Sequence, residues 1–194
     1  VLTAVTLAGC SSPISEADRA AAKRGGTSVS AQTAVPPALA VANLSYSGIY
    51  AETVTLANGR WEGKPFVQGG AARPVVGLVE NFTFPGDLDG DGNDEIVVFL
   101  WENSGGSGTN IYLAIVGVRD GNNVNLATAR LGDRVQLRGG HIHNARIVLD
   151  VVQQGPEDAA CCPSRLARRS WILAAGELQE EPVITGGTLS LTEL

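Results

Sequence analysis

Apolar and polar positions change rhythm twice along this chain. Residues 1–8 are apolar or Thr and carry no charge. Residues 11–43 are dominated by Ser, Ala, Thr, Pro and Gly, with one short charged cluster from Glu16 to Arg24 and no aromatic residue. Beyond residue 44, short apolar runs alternate with turn residues, and every aromatic lies between Tyr46 and Trp171. The pattern predicts strands. Glu52–Leu56 and Arg60–Glu62 flank Asn58-Gly59, a pair that tolerates the positive φ of a tight turn, so they predict a hairpin. Val75–Phe84 predicts one further strand. Ile96–Trp101 and Ile111–Val116 are apolar without alternation, which predicts strands covered on both faces. Asp120-Gly121-Asn122-Asn123 predicts a second hairpin turn, followed by short strands at Val124–Leu131 and Val135–Leu137. Ile142–Val152 reads as one strand with Ala145, Ile147, Leu149 and Val151 on a common face. Trp171–Ala174 and Leu178–Ile184 close the pattern around Ala175-Gly176. No stretch of 44–194 sustains a helical period. The expected fold is therefore all-β, an antiparallel sandwich or a curved, covered sheet, behind a disordered N-terminal tether. A small helix over one face fits the same pattern, as does a short one at 15–24 capped by Ser15.

The N-terminal run is too short to cross a bilayer, which takes about 20 residues. It has the character of the apolar core of a secretory signal, and with Val1 first and no Met in the chain, a charged segment ahead of it is expected. It ends Leu7-Ala8-Gly9-Cys10, followed by Ser11-Ser12. This resembles the bacterial lipobox. The resemblance implies that residues 1–9 are the remnant of a lipoprotein signal, that Cys10 becomes the acylated first residue, and that 10–43 is a linker lifting the domain at 44–194 off a membrane. The implied location is the bacterial cell envelope, facing the periplasm or the exterior.

Charge changes the picture next. Fourteen Lys and Arg stand against 20 Asp and Glu, a net −6, which argues against a nucleic-acid partner. Five of those acids, Asp87, Asp89, Asp91, Asp94 and Glu95, fall within nine residues and account for almost all of the net charge. In Asp87-Leu-Asp89-Gly-Asp91-Gly-Asn93-Asp-Glu95, alternate positions can aim at one centre while Gly90 and Gly92 let the backbone wrap. Hard oxygen ligands in a flexible loop suit Ca²⁺. Position 12 of the run is Val98 and no helix is expected to follow, so the loop departs from an EF-hand. Strand, Asp-x-Asp-Gly-Asp-Gly-x-x-acid, strand resembles the calcium loop of FG-GAP and VCBS-type repeats over residues 86–100. That resemblance implies Asp87, Asp89, Asp91, the Asn93 carbonyl and Glu95 as ligands, with Glu where the family more often has Asp, and leaves Asp94 facing solvent. A single such loop does not suggest a propeller.

A broader resemblance joins this loop to Glu102-Asn-Ser-Gly-Gly-Ser-Gly-Thr109, Leu131-Gly-Asp-Arg-Val135 and Cys161-Cys162-Pro163. Together they resemble a group of uncharacterised bacterial lipoproteins, some of which continue into a META-type domain. It implies fold and location, and no activity.

The remaining constellations are weaker. Cys161 and Cys162 can pair with each other, clamp a loop through outside partners, or stay free; no Cys-x-x-Cys exists to build a metal site. His141 and His143, the only histidines, are expected at the rim of the core rather than as a metal pair. Gly105–Thr109 falls one residue short of Gly-x-Ser-x-Gly and reads as a strand connection at the opposite end from the acidic loop. Arg165, Arg168 and Arg169 read as a solvated strand face. A binding or structural module, bound to the membrane through Cys10 and meeting a protein or envelope polymer, is favoured. Two alternatives remain: an envelope hydrolase joining a metal or the histidines to Asp150 or Glu102, and a stress-related envelope protein.

Overall fold

The computed structural model describes residues 38–182. The signal remnant, Cys10, most of the linker and the segment after residue 182 lie outside the described residues, and so do the tether, the helix at 15–24 and the end of the last expected strand. Within them the chain is all-β, with open antiparallel sheets. A single helical turn, α1 (Ala38–Val41), precedes twelve strands. These are β1 (Ser45–Tyr46), β2 (Val54–Thr55), β3 (Arg60–Glu62), β4 (Val75–Leu78), β5 (Phe84–Gly86), β6 (Glu95–Asn103), β7 (Asn110–Arg119), β8 (Asn122–Asp133), β9 (Gln136–His143), β10 (Arg146–Gln153), β11 (Arg165–Ala174) and β12 (Glu177–Glu181). Among these residues no helix is long and apolar enough to cross a membrane.

The six-stranded sheet runs β3-β4-β6-β7-β8, and β5 continues the β4 edge of β6. β6 and β7 are central, and their apolar runs separate cleanly by parity. Ile96, Val98, Leu100, Tyr112, Ala114 and Val116 face one core, closed by Val41, Tyr46, Ile49, Val54 and Leu56 from the N-terminal segment. Val97, Phe99, Ile111, Leu113 and Ile115 face a second core, closed by Ile147, Leu149, Val151 and Trp171 of a four-stranded sheet, β12-β11-β10-β9. Both faces are thus covered, which is why these strands show no polar alternation. Packing begins at Val41, three residues before the expected start of the domain, and the Tyr46 hydroxyl donates to the Val41 carbonyl at 2.8 Å.

Several boundaries differ from the sequence reading. The turn at Asn58-Gly59 is present, with φ of 52° and 79°. Its two arms nevertheless meet only at the Ala57–Arg60 bridge, because β2 pairs with β1 while β3 pairs with β4. Val75–Phe84 is two strands, bent apart where Asn81 takes φ 58°. Ile142–Val152 is also two strands. Asn144 and Ala145 both adopt positive φ (50° and 57°) and reverse the chain, so His143 opposes Arg146 and Ile142 opposes Ile147. The reversal breaks the parity on which the histidines were placed. Ile142 and Ile147 point into the core, and His141 and His143 are exposed on the outer face of the sheet.

Candidate metal loop

The acidic segment is the connection of a β-hairpin. Gly86 of β5 pairs with Glu95 of β6, and residues 87–94 form the loop between them. The loop is wound by its own side chains. Asp87 accepts from the amides of Gly90 (2.7 Å) and Gly92 (3.2 Å), and Asp89 accepts from Asp91 N–H at 3.2 Å. Asp91 accepts from Asn93 N–H at 2.8 Å, a bond that leads the influences holding its carboxyl below the usual range. Gly90 and Gly92 both sit at positive φ (79° and 84°), where a side chain would be strained.

This winding brings three carboxylates together. Oxygens of Asp87, Asp89 and Glu95 lie within 4.8 Å of one another. That spread is about twice a Ca²⁺–oxygen distance of about 2.3–2.6 Å, so one ion can bridge all three. Asp91 is outside the cluster: it leans toward Arg119 at the end of β7 (3.8 Å), and the same guanidinium bonds Asp89 at 2.6 Å. Asn93 is exposed and Asp94 is half-buried. The structure therefore gathers three of the four expected carboxylates and leaves Asp91 beside them.

Glu95 is the unusual member. It is 1% exposed. Gly117 lies alongside on β7, and a Cβ there would come within 3.3 Å of the Glu95 carboxylate and 2.7 Å of Leu126, so the glycine makes the room that Glu95 occupies. One donor reaches the carboxylate, Leu88 N–H at 2.9 Å. Burial pushes its pKa up; the Leu88 amide opposes this, and the charges of Asp89, Asp91 and Asp87 add to the rise.

The other end of β6 holds a second buried acid, Glu102, 2% exposed. It accepts from the Tyr50 hydroxyl (2.7 Å), from Asn110 Nδ2 (2.7 Å) and from the Ser104 hydroxyl. Burial pushes this carboxyl up, yet the three hydrogen bonds and the Arg130 charge outweigh it and leave the group below its ordinary value. Sequence reasoning named Glu102 only as an acid of the alternative hydrolase site, without Tyr50, Ser104 or Asn110 around it, and gave Arg119 no role. Arg119 ends β7 two residues beyond Gly117, which lies beside Glu95 at the base of the acidic loop.

The other candidates separate in space. Cys161 and Cys162 are disulfide-bonded to each other on an exposed loop. Cys10 lies outside the described residues. Neither histidine touches an acid among the described residues. Asp150 is instead held by Arg168 (2.7 Å), and Glu102 is enclosed in its nest, so the hydrolase constellation is not assembled. Arg168 and Arg169 leave opposite faces of β11. Arg169 is largely covered, paired with Glu180 at 2.7 Å and stacked over Trp171, so the three arginines are not one solvated face.

No protein-family model matches this chain, and neither does any curated protein or solved structure.

Proposed function

We propose that the chain is a lipid-anchored β module of the bacterial cell envelope whose β5–β6 loop holds a structural Ca²⁺, and that its role is binding or structural. The observation that carries the metal is Glu95. Among the described residues this buried carboxylate has a single backbone donor and faces three further acids, and the cation beside the cluster, Arg119, bonds Asp89 rather than Glu95, so the four acids lack a full counter-charge. A divalent ion among Asp87, Asp89 and Glu95 supplies it. Oxygen-only donors favour Ca²⁺ over Zn²⁺. The position favours structure over chemistry, because the loop joins β5 to a strand covered on both faces and, among the described residues, no histidine lies at it. The lipid anchor rests on Leu7-Ala8-Gly9-Cys10 and its resemblance to a lipobox.

Calorimetric titration with Ca²⁺ after chelation tests the metal. Heat of binding and a raised melting temperature are expected; neither appearing overturns it. Metabolic labelling with a fatty acid in a bacterial host tests the anchor, with Cys10→Ala expected to abolish the label.

A further inference from the structure

A different end of the molecule carries an assignment independent of the metal reading. The loops after β6, β8 and β10 meet there. Arg134, at φ 52° between β8 and β9, joins all three: it donates to the Ser107 carbonyl (2.8 Å) and to the Ala160 carbonyl (2.9 Å), and it pairs with Asp133. Asp133 in turn accepts from Thr109 N–H at 2.8 Å, and Thr109 accepts from Arg134 N–H at 2.7 Å. Ser104, Gly106, Gly108, Asn110, Arg130 and Asp133 line an open cleft against this network.

The loop 154–164 is held at two levels. Its base is closed by Asp158, which accepts from the amides of Gly155 (2.8 Å) and Ser164 (2.7 Å) and from the Ser164 hydroxyl (2.6 Å). Its apex is the Cys161–Cys162 disulfide together with Cys162 N–H donating to Ala159 (2.9 Å). Ala160, which receives Arg134, belongs to the apex. The two half-cystines are exposed, so an incoming thiolate can reach either sulfur.

From this arrangement we infer that Cys161–Cys162 is a thiol–disulfide exchange site for an external dithiol, and that its redox state sets the mobility of the cleft wall through Arg134. One thiolate of the dithiol attacks one sulfur and displaces the other as a thiolate, which takes a proton. The second thiol of the dithiol then resolves the mixed disulfide. The protein gains two electrons and two protons as two thiols, and the dithiol leaves as its disulfide. Breaking the bond removes the ring that ties residues 161 and 162, so the Ala160 carbonyl loses its fixed aim at Arg134. Asp158 keeps the base closed, so the change stays local.

The test uses the full chain in native buffer with dithiothreitol, with alkylation and peptide mass mapping to separate Cys161 and Cys162 from Cys10. Both thiols are expected to label without denaturant. Hydrogen–deuterium exchange is then expected to rise at least threefold at Cys162, Thr109 and Arg134, while the Gly155 and Ser164 amides stay protected. In the oxidised chain, Arg134→Ala is expected to raise Thr109 exchange by itself and to cancel the further effect of reduction. A disulfide that resists the native dithiol overturns the exchange site. Labelling with a rise confined to 159–164 overturns the coupling.

Discussion

Glu95 and Glu102 stand at opposite ends of one strand, almost equally buried, and have opposite surroundings. Glu102 receives three side-chain donors and the field of Arg130, and its carboxyl is held below its ordinary value. Glu95 receives one amide and looks out on three acids, and its carboxyl is pushed up. Burial alone therefore does not say what an acid is for. The supply of donors separates them: Glu102 is saturated by its neighbours, whereas Glu95 has one amide among the described residues and faces the acids of its own loop.

The largest expected effect is at the saturated site. Glu102→Ala leaves Tyr50, Ser104 and Asn110 without their acceptor and should cost about 3 kcal/mol or more in urea unfolding. The loss should be the same with Ca²⁺ and with chelator; a calcium-dependent loss would break the contrast. Next comes the ion itself. Ca²⁺ at a hundred times its Kd should stabilise the protein by about 2.7 kcal/mol, and Asp89→Asn should remove most of that gain.

Gly117→Ala pushes a methyl group against Leu126 and the Glu95 carboxylate and should cost about 1–3 kcal/mol, with weaker Ca²⁺ binding read in the same titration.

The pH dependences should run in opposite directions. Both acids have an ordinary value of 4.5. Folded Glu95 keeps its proton above that value, where the unfolded chain has lost it. Metal-free stability from this group is therefore present below pH 4.5 and falls as pH rises through the raised folded value. Glu102 contributes stability above pH 4.5 that is lost as pH falls through its lower folded value. Subtracting Glu95→Gln unfolding curves from wild type under chelation isolates the first trend, a contribution that shrinks as pH rises. A difference that does not change with pH would sink it.

The smallest effect on stability belongs to Arg119, whose pairings with Asp89 and Asp91 are solvent-exposed and contribute little. Arg119→Ala should leave the metal-free melting temperature nearly unchanged and tighten Ca²⁺ binding severalfold, since the guanidinium holds the same carboxylate as the ion.

The sequence by itself determined what short-range chemistry can determine. The unbroken apolar runs of β6 and β7 required cover on both faces, and two cores on one sheet supply it. Asn58-Gly59 and Asp120-Gly121 announced turns because few other residues accept positive φ cheaply. The alternating acids around Gly90 and Gly92 marked a loop that could converge, and the hairpin from Gly86 to Glu95 brings Asp87, Asp89 and Glu95 together. Other features were decided only by tertiary structure. Asn144-Ala145 reverses the chain without a glycine to signal it, and a two-residue reversal moves both histidines to the opposite face. β2 leaves its sequence neighbour for β1 because the N-terminal segment must cover the first core. Arg119 reaches Asp89 across 30 residues and Tyr50 reaches Glu102 across 52. Such contacts follow from the register of strands distant in sequence, and a local pattern carries no information about that register.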